Sequence, residues 1–204
     1  MTILLVDDHA LVRAGLKRLL ATIYTGEILE AATGRDALAL LRSEKPALVI
    51  LDLNMPGLGG LELLRRLIQA GAGAILVLTM HAEPLYAKRA LDAGAAGYMT
   101  KNASPDELLL AVSRVTAGGR YVEAELAQSI AAPGSGGRQK LDNLSVRELE
   151  IMRLLATGAS LAEIATAVGV GYKTVANNCS QIKSKLGVSR TADLVRLAIE
   201  TGVS

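Results

Sequence analysis

Apolar and polar positions follow two different rhythms along this chain, and the change between them falls near residue 132. Before it, short unbroken apolar runs recur: Ile3-Leu-Leu-Val, Leu48-Val-Ile-Leu, Ile75-Leu-Val-Leu and Ala95-Ala-Gly-Tyr-Met, with a weaker one at Ile28 to Ala31. Runs of this length suit strands buried on both faces of a parallel sheet. Helical patterns lie between and after them, and strict strand-helix alternation predicts an α/β domain with a five-stranded doubly wound parallel sheet. The strands are expected at Ile3–Asp7, Ile28–Ala31, Leu48–Asp52, Ile75–Thr79 and Ala95–Met99. The last helix of this part opens with Ser104-Pro105-Asp106-Glu107, an N-cap serine with proline at the first helical position and glutamate three residues past the cap, and it ends near Gly118-Gly119.

After a short helical segment from Tyr121 to Ala131, Ala132-Pro-Gly-Ser-Gly-Gly137 sustains neither helix nor strand and reads as a flexible linker. We therefore assign residues 1–120 to one domain, 121–140 to a linker and 141–204 to a second domain. The second domain has no strand pattern. Ser145-Val-Arg-Glu148 and Ser160-Leu-Ala-Glu163 are capping boxes, each opening an amphipathic helix. Gly158 is placed to end the first helix, and the second, Leu161 to Val168, stops at Gly169-Val170-Gly171. A third begins around Lys173 and a fourth spans Thr191 to Thr201. Helix, tight glycine turn and helix make a helix-turn-helix inside a small all-α bundle.

Composition narrows the class. Half of the 204 residues are apolar and 21% are charged, as in ordinary globular chains. Phe and Trp are absent, so the core is packed with aliphatic side chains. No apolar stretch approaches the roughly 18 residues of a membrane span, and no basic leader precedes Asp7-Asp8. A cytoplasmic protein without membrane contact is expected, and the single cysteine, Cys179, fits a reducing compartment. Residues 1–137 hold 13 Lys+Arg against 14 Asp+Glu, whereas 138–204 hold 9 against 6. The positive sign of the second part points towards nucleic acid.

Candidate chemistry sits where the strands end. Asp7, Asp8, Asp52, Thr79 and Lys101 each lie at or just past a strand, and in such sheets ligands gather outside the carboxyl ends. Three carboxylates crowded together raise one another's pKa unless a cation joins them, and hard oxygen ligands suit Mg²⁺. Asp52 ends the central strand and is the best nucleophile; the loop Leu53-Asn54-Met55-Pro56-Gly57 brings the Asn54 backbone carbonyl to the metal. A carboxylate that attacks phosphorus forms an aspartyl phosphate. Mg²⁺, the Lys101 ammonium and the Thr79 hydroxyl are suited to neutralise the equatorial oxygens.

These residues carry a resemblance. Residues 1 to about 120 resemble the receiver domain of a two-component response regulator, through the acid pair Asp7-Asp8, Asp52 at the phospho-acceptor position, Thr79 at the switch position and Tyr98, which precedes Lys101 by three residues as the switch aromatic does. Asn102 departs from the proline that many receivers carry after the lysine. Leu144-Ser-Val-Arg-Glu-Leu-Glu, Gly158-Ala-Ser-Leu-Ala-Glu-Ile-Ala, Lys173-Thr-Val-Ala-Asn-Asn and Lys185-Leu-Gly-Val are similar to the LuxR-type DNA-binding domain, so the whole resembles a NarL/FixJ-type regulator. The resemblance implies a histidine kinase as phosphoryl donor, double-stranded DNA as target, and a homodimer favoured by phosphorylation. It also implies that Thr79 moves to the phosphoryl group and Tyr98 turns inward behind it.

The second helix of a helix-turn-helix enters the major groove. Val175, Cys179, Ile182 and Leu186 share one face and should pack inward. Lys173, Ala176, Asn177, Ser180 and Gln181 then face the groove, with Thr174, Lys183 and Lys185 set for phosphates. Here the chain departs from the family pattern Thr-Val-Lys-x-His: it reads Thr174-Val175-Ala176-Asn177-Asn178, with Gly171 where a capping serine is usual. Amides favour adenine, so Asn177 biases recognition to A·T pairs. Two other readings stay open: an interaction protein whose DNA binding is weak or lost, and an Asp-nucleophile phosphatase, which Asp52-Leu-Asn54 fits poorly because that class carries a second aspartate two residues on. His9 and His81 are poor ligands for hard Mg²⁺, Cys179 reads as core rather than a redox thiol, and Arg65-Arg66 and Lys88-Arg89 read as solvated helix faces.

Overall fold

The computed structural model describes residues 1–55, 60–131, 141, 144–201 and 203, and the chain divides into two compact units, the first ending at Ala131. In the first, strands β1 (Ile3–Val6), β2 (Ile28–Ala31), β3 (Leu48–Leu51), β4 (Ala74–Thr79), β5 (Gly97–Thr100) and β6 (Tyr121–Val122) form one sheet in the order β2-β1-β3-β4-β5-β6. Every pairing is parallel. Helices α1 (Ala10–Leu20), α2 (Gly34–Glu44), α3 (Gly60–Gln69), α4 (Pro84–Asp92) and α5 (Pro105–Thr116) link successive strands. The apolar runs are buried along their whole length in β1, β3 and β5, as a sheet covered on both faces demands. On one face Ile3, Leu5, Ile50, Leu76, Leu78 and Met99 pack with Leu20 of α1 and Leu108, Val112 and Val115 of α5. Gly60 starts α3 against the backbone of Leu53, where an added Cβ would meet carbonyl and Cα at 2.2 and 2.3 Å, so only glycine lets the helix close under the loop that follows Asp52.

The sequence pattern misplaces the end of this unit. Tyr121 and Val122, expected in the linker, are a sixth strand paired to Gly97 and Tyr98, and helix α6 (Ala124–Ala131) packs on α4 and buries Leu126. The domain thus runs past residue 120 to Ala131. A two-residue strand is too short to show alternation, and its pairing is made by backbone atoms that no side-chain pattern encodes. The expected linker residues 132–137 lie outside the described residues.

In the second unit, α7 (Val146–Ala156), α8 (Leu161–Val168), α9 (Tyr172–Leu186) and α10 (Thr191–Glu200) surround a core that includes Leu149, Met152, Ile164, Val175, Ile182 and Leu194. Both expected capping boxes are formed, Ser145 with Glu148 and Ser160 with Glu163. Gly169 closes α8 in the left-handed region at φ 68° and Gly171 serves as the N-cap of α9; the turn between α8 and α9 follows from this pair.

Glu148 does more than cap. Its buried carboxylate accepts from the Ser145 backbone at 2.5 Å and from Lys185 Nζ at 2.7 Å, joining α7 to α9. Burial alone would raise its pKa, but the Lys185 ammonium and the Ser145 hydrogen bonds outweigh it and hold the carboxyl below its ordinary value. A depressed folded pKa stabilises the fold above the unfolded value, about 4.3, and that contribution is lost as pH falls through the folded one. Amide protection factors in α7 and α9, corrected for the intrinsic pH dependence of exchange, are therefore expected to fall in the full chain as pH drops below the ordinary carboxylate range. Glu148→Gln should be less protected at pH 7 and show a flatter pH dependence; equal slopes would refute the linkage.

Candidate functional site

β1 and β3 are neighbours, while the chain leaves β1 for the opposite edge before returning to β3. This reversal is a topological switch point, where the flanking connections part and leave a crevice at the strand carboxyl ends. Asp7 follows β1 and Asp52 follows β3, and the ladder aligns Val6 with Leu51 and adds a bond from the Asp52 N–H to the Val6 carbonyl at 2.9 Å. Both carboxylates are nearly inaccessible, at 3% and 2% residue exposure.

Lys101 Nζ, one residue past β5, donates to Asp52 Oδ2 and Asp7 Oδ2, each at 2.6 Å. Burial disfavours its charge, yet these two hydrogen bonds prevail and raise the lysine pKa above its ordinary value, so the ammonium stays charged throughout the neutral range. The other oxygen of Asp52 accepts from the Asn54 backbone N–H at 2.9 Å. Asp7 Oδ1 accepts from the His9 backbone at 2.8 Å, and Arg13 Nη1 grips the Asp7 carbonyl at 2.7 Å. His9 Nδ1 lies 3.2 Å from Asp7 Oδ1 and 3.0 Å from Asp8 Oδ1. Asp8 Oδ1 is buried and, His9 Nδ1 apart, has no hydrogen-bond partner among the described residues. Ligand atoms of Asp7, Asp8, His9 and Asp52 all fall within 4.8 Å of one another.

Thr79 ends β4 fully buried, and its hydroxyl accepts from the His81 N–H at 3.3 Å. Tyr98 on β5 is also fully buried and donates its hydroxyl to the His81 carbonyl at 2.8 Å; burial, with Glu83 nearby, pushes that phenol well above its ordinary pKa. The inward position that the resemblance assigns to Tyr98 after phosphorylation is the one it holds here. Both side chains meet at one residue, His81, whose ring stacks on Tyr86 with centroids 4.4 Å apart. The sequence pattern marks His81 only as an unlikely metal ligand. Its linking role depends on a tertiary approach of β5 to the β4–α4 loop, and spacing carries no signal for that.

In the second unit the inward face of α9 is as expected: Val175, Cys179, Ile182 and Leu186 are buried, and burial raises the Cys179 thiol pKa, opposite to what a reactive thiol needs. Lys173, Thr174, Asn177, Ser180 and Gln181 are exposed, with Ala176 and Lys183 half-buried. Two side chains of α9 turn back onto the protein. Lys185, assigned to phosphates, is bonded to Glu148, and the Asn178 amide folds back to donate to the Thr174 carbonyl at 2.9 Å. Tyr172, 58% exposed at the first helical position, stands beside Lys173 and was not singled out by the pattern.

Residues 3–113 match the response regulator receiver domain, and residues 142–198 match the luxR family of bacterial regulatory proteins. The chain belongs to the two-component response regulators. This response regulator is 43% identical over 209 residues to the transcriptional activator protein ExaE of Pseudomonas putida, covering 100% of this chain and 98% of that one. It is 36% identical to the response regulator UvrY of Escherichia coli K12, covering 100% and 95%. Among solved structures it is similar to RcsB from Salmonella enterica serovar Typhimurium bound to promoter rprA in the presence of phosphomimetic BeF3-, at 27% identity over 97% of this chain and 98% of that one, with a TM-score of 0.67. The family makes the chain a transcription regulator with a LuxR-type helix-turn-helix, not a phosphatase. No helix among the described residues is long and apolar enough to cross a membrane.

Proposed function

We propose that this regulator is switched by phosphorylation of Asp52, with a histidine kinase as donor, and that the phosphorylated chain dimerises and reads double-stranded DNA through α9. The observation that carries the reading is the half-buried Lys101 ammonium shared between Asp52 and Asp7 at 2.6 Å each. An Asp52 oxygen attacks phosphorus, the bond from phosphorus to the donor nitrogen breaks, and the leaving electron pair departs with the donor imidazole. Lys101 holds the Asp52 carboxylate in place and stays charged to balance the arriving oxygens.

The donor set fits Mg²⁺. Three carboxylates face one ammonium, so negative charge is in excess, and the buried Asp8 Oδ1 atom has no hydrogen-bond partner among the described residues beyond the His9 ring nitrogen 3.0 Å away. Asp7, Asp8, Asp52 and the Asn54 carbonyl would hold the ion, which when bound supplies charge neutralisation for the transferring group. His9 contributes softer nitrogen that hard Mg²⁺ does not favour. For the output, Asn177, Ser180 and Gln181 offer polar groups to base edges while Lys173 and Lys183 reach phosphates. A cytoplasmic location follows from the family's partnership with kinases and DNA.

The route from site to output runs through Thr79. Thr79→Ala is expected to accept phosphate to the wild-type extent from acetyl phosphate, because nucleophile and cation are retained, yet to lose most of the phosphorylation-dependent gain in DNA affinity. Band-shift titration with and without the phosphodonor measures this. A variant with the wild-type gain would remove Thr79 from the pathway.

A further inference from the structure

Glu123 makes three bonds that belong to three different parts of the first unit. Its backbone N–H extends the β5–β6 ladder to the Tyr98 carbonyl at 3.3 Å, its carbonyl accepts from Ala127 to start α6 at 2.9 Å, and its side-chain Oε2 accepts from the Thr100 N–H at 2.8 Å. The last of these needs explaining. β6 is two residues long, and its register with β5 stops at Val122 opposite Tyr98. In a longer strand the next carbonyl would take the Thr100 N–H, but that carbonyl is committed to α6, so the carboxylate substitutes for it. Thr100 is buried, and a buried backbone donor left unmet is costly.

The peptide so held joins Met99 to Thr100, directly before Lys101. On its far side the Lys101 N–H donates to the Thr79 carbonyl at 2.8 Å, and the Lys101 side chain reaches Asp52 and Asp7. One strand end therefore connects the acidic cluster and the Thr79 position to Glu123, the residue just before α6, the helix packed on α4.

Resting on the proposed phosphorylation of Asp52, we infer that Glu123 is a positioning residue that couples the phospho-acceptor site to α6: when Lys101 shifts to accompany an acquired phosphoryl group, the Thr100 peptide moves with it and the Glu123 carboxylate transmits that movement to the start of the helix. α6 is the last described element of the first unit.

The test uses hydrogen exchange on the full chain, with and without acetyl phosphate and Mg²⁺, alongside phosphate incorporation. In the wild type, the phosphodonor should change exchange in residues 124–131 by about tenfold. Glu123→Ala should label at Asp52 to the wild-type extent, lose Thr100 protection, and show no phosphodonor-dependent change in 124–131. Glu123→Gln, which keeps an acceptor oxygen, should restore most of the response. A merely structural role would alter basal protection in both variants and leave the phosphodonor-dependent change intact, and that result overturns the inference. So does a Gln variant as unresponsive as Ala. Failure of the underlying reading is separately visible, because it appears in the wild type as absent labelling of Asp52.

Discussion

One phosphoryl group per chain, stable to acid and labile to base, is expected on Asp52 when the protein is incubated with acetyl phosphate and Mg²⁺. Asp52→Asn is expected to reduce incorporation to background, because a neutral amide lacks the anionic oxygen that attacks phosphorus. The geometry makes the expectation specific to this carboxylate. Asp52 is clamped by Lys101 at one oxygen and by the Asn54 N–H at the other, so the attacking atom is held in a fixed direction at the mouth of the switch-point crevice. EDTA should suppress the wild-type reaction, since the excess negative charge of Asp7, Asp8 and Asp52 would otherwise repel an incoming phosphate. Mass analysis of the intact chain and of its peptides decides the matter. Equal labelling of Asp52→Asn, or labelling undiminished by EDTA, would sink the assignment.

The second large effect is expected on α9. Salt dependence of DNA binding reports phosphates neutralised, with a slope near −0.9 for each on B-DNA. Lys185 is engaged with Glu148, leaving Lys173 and Lys183 as the cations of this helix for phosphates. Ala176→Lys should therefore tighten binding to unrelated duplexes and steepen the salt slope by about one per subunit. The half-buried position is compatible, because a lysine stem can lie along the helix while its ammonium reaches outward. Asn177→Ala should leave the slope nearly unchanged and cost on the order of 1–3 kcal/mol on the preferred duplex, the worth of a bidentate adenine contact. The preferred duplex is obtained by selection from a random pool with the phosphorylated wild type. An unchanged slope for Ala176→Lys, or an Asn177→Ala loss equal on all duplexes, would mean that another face of α9 enters the groove. Failure of the wild type to select any duplex would favour the interaction-protein alternative.

What was legible in the sequence is tied to periodicity and local chemistry. The five longer strands, the capping serines at 104, 145 and 160, the glycine turn before α9 and its buried stripe of Val175, Cys179, Ile182 and Leu186 all depend on neighbours within a few residues. Such features are written locally, because capping, burial and alternation act over one or two turns. The convergence of Asp7, Asp52 and Lys101 was legible as well, since strand ends in a parallel sheet gather on one side. Their hydrogen bonds span 94 and 49 positions, but topology alone brings the residues near.

Partner choice among residues already close was decided only by the tertiary structure. Glu107 follows the capping serine and by pattern should return to it, yet its carboxylate accepts from the Tyr121 hydroxyl at 2.6 Å; burial, then this bond, push the tyrosine pKa to about 12. Lys185 has the spacing of a phosphate contact and instead neutralises Glu148, 37 residues earlier. β6 exists because β5 had an open edge, and Glu123 completes the ladder where that strand runs out. Sequence thus determined which groups stand at each strand end and helix face. Which oxygen meets which hydrogen was set by packing, because a buried polar group takes whatever partner the fold brings within about 3 Å.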